Sequence, residues 1–312
     1  MIKITFESVA AMFLMVVVGF AARKFKLLSE ENSKAISRII ITIGQPFLMI
    51  SALINAEYSL DNLKYGGKII LVGLGVFLVS GIISHLNASL IKDKDKRSIA
   101  EYAGMFANSG FMGIPLLTDM YGRLGAFWCA FFVIVFNVVC WTWGMFILHK
   151  ANPEIKISVK NMFINYGTVP ALIGFLMYIA NIAYPAPLKN AITTIGSLCT
   201  PLSMLIVGGL LATIPFRKLL SDIHVYLLCA VRLIIIPLAI AAICRLIGLQ
   251  RDLSVFAIVI SALPSASNTS VFAERYGIAP QFAAKCVGMA TVLSAVTVPG
   301  ILWLADRYLL IT

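Results

Sequence analysis

Charged residues are scarce in this sequence: they make up only 12% of its 312 residues, whereas hydrophobic residues make up 60%. A soluble domain carries about 25% charged residues to cover its water-facing surface. This scarcity excludes an ordinary soluble protein, and a mean hydropathy of +0.94 indicates a membrane protein. Because a bilayer-crossing helix needs roughly 20 apolar residues, little of the chain is left for a separate soluble catalytic domain.

Motifs for enzymatic and metal chemistry are lacking as well. The three histidines form no HExxH site, the chain has no P-loop, and the six cysteines include no CxxC pair. These absences argue against ATP-driven pumping, a zinc site and a disulfide framework, and they predict buried, unpaired cysteines. An intramembrane enzyme needs converging catalytic groups such as paired aspartates, which the sequence does not show. We expect no enzymatic activity, no cofactor and no metal.

The positive charge of the chain has a topological explanation. A net charge of +11 would suggest nucleic acid in a soluble protein, but membrane proteins concentrate Lys and Arg in their cytoplasmic loops. Placing the connections 23–29, 92–97, 149–160 and 214–222 in the cytoplasm leaves about twice as many basic residues inside as outside. We therefore predict a multi-pass plasma-membrane protein with both termini outside the cytoplasm and no nucleic-acid partner.

Apolar runs separated by charged or turn-rich breaks predict an all-α fold with ten transmembrane spans. They lie near residues 4–22, 36–56, 66–90, 98–121, 124–148, 162–184, 188–213, 224–248, 252–276 and 280–304.

The two halves of the chain also share a faint repeat. Three matches have the same offset: Gly19-Phe20 with Gly174-Phe175, Pro46 with Pro201, and segment 119–122 with 274–277. Five spans is an odd number, so the second half enters the membrane from the opposite side. This predicts a five-plus-five inverted repeat with halves 1–155 and 156–312, an architecture typical of secondary transporters.

Spans 4 and 9 carry glycine, proline and small polar residues near their middles. Those in span 4 are Asn108, Ser109, Gly110 and Pro115, and those in span 9 are Pro264, Ser265, Ser267, Asn268 and Thr269. Breaks at this depth must line protein or a wet cavity, and each exposes a helix N-terminus with a partial positive charge. We predict an anion site there, with the polar side chains as its donors and acceptors. The alternative is that each proline only kinks its helix and that the polar side chains satisfy the freed backbone.

These same segments carry a family resemblance. Asn108–Leu117 with Met120–Gly122 resembles the span-4 signature of the auxin efflux carrier family, and Ala262–Pro264 with Val271–Ala273 resembles its span-9 signature. The resemblance implies a fold similar to bile-acid symporters and sodium/proton antiporters, in which broken spans 4 and 9 cross. Spans 1, 2, 6 and 7 would form a scaffold domain and the interface of a homodimer, while spans 3–5 and 8–10 would form a moving transport domain.

The resemblance also implies a function: elevator-type secondary transport of a small organic anion, such as malonate, malate or an auxin-like acid. The short connection between spans 5 and 6 favours the bacterial type, since many plant relatives have a long loop there. Asn108 and Asn137 look like family substrate-contacting positions, and Gln45 looks like a scaffold-side contact. Asn137 could instead donate a hydrogen bond in helix packing, and Gln45 could satisfy the backbone freed by Pro46.

Four charged residues raise further alternatives. Arg232 lies deep in span 8, where it could bind a substrate carboxylate, pair with an acidic residue or snorkel. Glu101, Asp119 and Glu274 lie near the ends of spans 4 and 9, as candidates for coupling to H⁺ or Na⁺ or as solvated helix-end charges. Two other functions stay open. One is a cation/proton antiporter of related fold, disfavoured because the breaks lack Asp and Glu, and the other is a membrane sensor that binds a carboxylate.

Overall fold

The computed structural model describes residues 2–56, 58–155, 164, 166, 168–181, 184–213 and 222–309, and this part of the chain is almost entirely helical. The helices, in chain order, are α1 (Ile2–Lys24), α2 (Glu30–Ile54), α3 (Leu60–Ala88), α4 (Lys94–Met105), α5 (Ser109–Gly113 continued by Ile114–Tyr121), α6 (Arg123–Ala151), α7 (Thr168–Ala180), α8 (Ala186–Thr213), α9 (Ile223–Leu246), α10 (Arg251–Ala262), α11 (Asn268–Tyr276) and α12 (Pro280–Leu304).

Six helices in the described part are long and apolar enough to cross a bilayer: α2, α3, α6, α8, α9 and α12. The chain is therefore consistent with a multi-pass membrane protein. Predicted spans 4 and 9 each consist of two shorter helices, α4 with α5 and α10 with α11. The start of predicted span 6 and most of the connection after span 7 lie outside the described residues. The count of ten spans and the inverted repeat stay predictions.

Local sequence explains where several helices begin. The Ser59 hydroxyl accepts a hydrogen bond from the Asn62 amide at the start of α3, and the Asp93 carboxylate accepts two at the start of α4. Such caps satisfy amides that have no partner inside the helix. Between α5 and α6 the chain reverses at Gly122, whose φ of 61° favours glycine over residues with a side chain.

Several pairs of helices pack closely. Helix α1 lies along the second half of α8 and also contacts α12, and α2 packs against α7, the first half of α8 and α6. Helix α3 packs against α4 and α6, and α9 packs against α10. All six cysteines are buried and unpaired, which confirms that prediction.

Two glycines bring α1 and α8 into backbone contact. A Cβ added at Gly208 would overlap the carbonyl oxygen of Val16, and one added at Gly19 would overlap the carbonyl oxygen of Leu205. Small residues are the usual means by which membrane helices approach closely, because packing rather than the hydrophobic effect drives their association. The α1–α8 contact therefore depends on the absence of side chains at both positions.

We expect Gly208→Ala to destabilise the protein by about 1–3 kcal/mol, the usual cost of overpacking a tight contact. The measurement is the thermal unfolding midpoint of the purified protein in detergent. Gly75→Ala is the matched control, because a Cβ there meets nothing within 4 Å and alanine is the better helix former. Equal midpoints for the two variants would contradict the contact.

Candidate functional site

The two interrupted helices meet at their interruptions. The segment between α4 and α5 pairs in antiparallel fashion with the segment between α10 and α11. The Asn108 amide donates to the Pro264 carbonyl over 2.8 Å, and the Ala266 amide donates to the Phe106 carbonyl over 2.8 Å. Backbone groups that leave a helix inside a bilayer need partners within the protein. Here each interruption provides partners for the other.

The prolines account for much of this local structure. Pro264 has no amide hydrogen, and Leu263 before it is extended, with φ −63° and ψ 150°, as the residue before a proline prefers. Pro115 is the second residue of the regular part of α5, which follows the π-helical turn Ser109–Gly113. Predicted span 9 is therefore broken at Pro264, and predicted span 4 is irregular after its interruption. The proline and glycine content of both spans predicts these irregularities.

A pocket lies beside the paired segments. Its polar lining consists of residues that the sequence analysis singled out: Gln45, Asn108, Ser109, Gly110, Ser267 and Asn268. They come from α2, from the first interruption with the start of α5, and from the second interruption with the start of α11. Two helix starts therefore line one pocket, and the start of a helix carries a partial positive charge.

Several polar atoms around the interruptions have no hydrogen-bond partner among the described residues. These atoms include Asn108 Nδ2 and the hydroxyls of Ser109, Ser265, Ser267 and Thr269. Leaving a buried donor or acceptor unpaired costs about 1–3 kcal/mol. A polar ligand or ordered water in the pocket could form hydrogen bonds with such a cluster of atoms. This disfavours the alternative in which the polar side chains serve only the freed backbone.

Asn137 lies close to the pocket but is not part of its lining. It is buried on α6, and its Nδ2 has no partner in the described part of the chain. The preceding residue, Phe136, does line the pocket. Helix packing through the Asn137 amide is therefore not what the structure shows, and a substrate contact at this position stays a prediction.

The apolar wall of the pocket was missed by sequence reasoning. It is formed by Ala107, Phe111, Val133, Phe136 and Ala266. Phe136 belongs to an aromatic cluster with Phe77 and Phe106, with ring centroids 5.5–6.1 Å apart. An apolar residue on an apolar helix carries no signal of its own, so only the packing of α6 against the first interruption identifies it.

Arg232 does not line the pocket, and its contacts disagree with a role in binding substrate directly. The side chain is only 1% exposed. Its guanidinium donates to the main-chain carbonyls of Leu263 and Ser261 over 2.9 Å, Gly104 over 3.0 Å and Ile260 over 3.3 Å. No acidic partner and no snorkelling is seen for it in the described chain. The sequence identified the residue as unusual, but not its partners.

The three acids lie in different surroundings. Glu101 is 3% exposed, 3.1 Å from His85 Nδ1 and 3.8 Å from Lys150 Nζ. The interpretation of Glu101 as a solvated helix-end charge is therefore wrong, because residues from α3 and α6 cover it. Asp119 is exposed, in agreement with a helix-end charge. The side chain of Glu274 lies outside the described part. Neither Glu101 nor Asp119 lines the pocket.

Comparison with known proteins identifies the family. The family described as membrane transport protein matches residues 4–165 and 156–302, essentially the whole chain. The chain belongs to this family of membrane transport proteins. This confirms the resemblance to the auxin efflux carriers, and it agrees with a transporter rather than an enzyme.

Individual relatives are named as transporters. The chain is 26% identical to an "Uncharacterized transporter" of Methanothermobacter thermautotrophicus over 302 residues, covering 95% of this chain and 96% of the relative. It is 24% identical to an "Uncharacterized transporter" of Methanocaldococcus jannaschii over 313 residues, covering 95% and 97%. A "Putative malonate transporter" of Rhizobium meliloti is 23% identical over 211 residues, which is 65% of each chain.

The buried carboxylate of this membrane transport protein gives a stability prediction. Glu101→Gln keeps the size of the side chain but removes the charge that faces His85 and Lys150. We expect a loss of about 1–2 kcal/mol, since hydrogen bonds to charged groups exceed neutral ones, seen as a lower thermal unfolding midpoint. Asp95→Asn, at an exposed position of α4, should change the midpoint much less. A Glu101→Gln variant as stable as the parent would contradict the ion pairs.

Proposed function

We propose that this protein is a secondary transporter that carries a small organic anion across the plasma membrane by elevator-type alternating access. The observation that carries the proposal is the pocket at the paired interruptions. There two helix starts and several unpartnered polar side chains converge on one space. Positive helix ends and neutral donors at that depth are suited to an anion.

The charges around the pocket support an anionic substrate. No carboxylate is among the lining residues that the structure describes. Arg232 adds a formal positive charge to the carbonyl ends of the interrupted helices, and its hydrogen bonds in the described chain go only to carbonyls. A buried positive charge without an acidic partner favours an anion nearby, because attraction between charges is strong where water is excluded.

The apolar wall and the polar lining of the pocket support the substrate class that we propose. Phe111, Val133 and Phe136 would contact the carbon skeleton, while Asn108 and Ser109 would face the carboxylate. We propose malonate as the first candidate, with malate and auxin-like acids next, since one relative is named for malonate.

The mechanism that we propose uses two domains. Gln45 reaches the pocket from α2, which packs with α7 and α8, whereas the other lining residues belong to the interruptions and to helices α5, α6 and α11. If α1, α2, α7 and α8 form a scaffold, movement of the remaining helices would carry the pocket past Gln45. The ten spans, the inverted repeat, the crossing of the interrupted spans, the scaffold homodimer and the outside termini all belong to this proposal.

Two alternatives have different requirements. A cation/proton antiporter needs acidic ligands at the site, and the lining residues that the structure describes include none. Glu101, which is buried with His85 and Lys150 outside this lining, stays a candidate for ion coupling, as do Asp119 and Glu274. A sensor would use the same pocket without moving its ligand.

The transport proposal is tested with radiolabelled malonate counterflow in proteoliposomes. We expect saturable counterflow that Asn108→Ala lowers by about 10- to 100-fold, because a hydrogen bond to a charged group contributes roughly 1.5–3 kcal/mol. Asn190→Ala, which changes an exposed asparagine on α8, is the matched control and should transport like the parent.

Other outcomes identify the alternatives. Saturable malonate binding without counterflow would replace the carrier by a sensor. Sodium-driven proton movement without flux of any tested acid would favour the antiporter. Counterflow that is unchanged in Asn108→Ala would remove this residue from the site.

A further inference from the structure

Arg232 contacts the C-terminal ends of α4 and α10, the helices that precede the two interruptions. The last carbonyls of a helix have no partner within it and carry partial negative charge. Gly104 is in the last turn of α4, and Ile260 and Ser261 are in the last turn of α10. The Arg232 guanidinium donates to the carbonyls of all three and to that of Leu263. One side chain therefore joins the ends of both helices.

These carbonyls lie next to the paired segments. Gly104 is two residues before Phe106, whose carbonyl accepts from the Ala266 amide. Leu263 directly precedes Pro264, whose carbonyl accepts from the Asn108 amide. A shift of either helix end by a fraction of an ångström would change both cross-segment bonds, since hydrogen bonds weaken steeply with misalignment. The Arg232 hydrogen bonds to both helix ends therefore also fix the register in which the two segments pair.

The chemistry of the arginine side chain suits this arrangement. A guanidinium has five donors in a rigid planar fork, so it can bind several carbonyls on two different segments at once. A lysine ammonium has only three donors on a single nitrogen.

We propose that Arg232 is a positioning residue that fastens the carbonyl ends of α4 and α10 to each other and so fixes the paired segments on which the pocket is built. It acts on substrate through Asn108 and Ser267 rather than by contact. This inference rests on the proposed function only in treating that pocket as the binding site.

The test measures the paired segments directly by hydrogen–deuterium exchange of the full-length protein in nanodiscs. We expect Arg232→Gln to speed exchange about tenfold in the peptides covering 104–110 and 260–268, as local opening becomes easier. Peptides from α1 and the second half of α8 should not change. Arg232→Lys should show a smaller increase in the same two peptides. Arg245→Gln, which removes an exposed arginine from the same helix, should exchange like the parent.

Each remaining outcome decides the question. Unchanged exchange in either peptide of Arg232→Gln would overturn the positioning role, and lost malonate binding with unchanged exchange would assign Arg232 to direct substrate contact. If Arg232→Gln does not fold, Arg232→Lys decides: parent-like exchange in both peptides overturns the proposal. Because exchange needs no substrate, a failure of malonate transport leaves this result interpretable.

Discussion

A helix interrupted inside a bilayer has to satisfy the backbone groups that it releases, because no water is present to do so. In this protein two interruptions solve the problem together. The amides of Asn108 and Ala266 donate hydrogen bonds to the opposite segment, and the Arg232 guanidinium donates to carbonyls at the ends of α4 and α10. The position of the pocket follows from this pairing, since the segments that pair also carry its polar lining.

The site combines hydrogen bonds between the two segments with unpaired polar side chains. The amides of Asn108 and Ala266 donate to the carbonyls of Pro264 and Phe106, whereas Asn108 Nδ2 and the hydroxyls of Ser109 and Ser267 have no partner in the described chain. Unpaired buried polar atoms lower stability, so their concentration around one pocket is more simply explained by a ligand than by folding. A rigid backbone that presents free donors is also the arrangement that reduces the ordering cost of binding.

Much of this site could be predicted from residue types alone. Proline and glycine in the middle of apolar spans indicated both interruptions, and Asn108, Ser109, Ser267 and Asn268 indeed line one pocket. Gln45 was identified only through the family resemblance, and it reaches the pocket from a separate helix.

Other features depend on contacts that no residue pattern encodes. The partners of Arg232 are main-chain carbonyls, which every residue has, and the burial of Glu101 depends on neighbours from two other helices. The predicted repeat does not help, because the offset shared by its three matches relates Arg232 to Phe77, which packs against Phe106.

We propose that the pocket at the interruptions binds a small organic anion. Gly110 lines this pocket, and a Cβ added there meets nothing within 4 Å. Gly110→Cys should therefore introduce a thiol at the site, while the six native cysteines are buried. The measurement is the rate at which a water-soluble maleimide labels this variant with increasing malonate, against the neutral diamide of malonate as control. We expect malonate to protect the thiol saturably and the diamide to give no protection. Efficient labelling that is slowed by none of malonate, malate and an indole carboxylate would contradict binding of a small organic anion in this pocket.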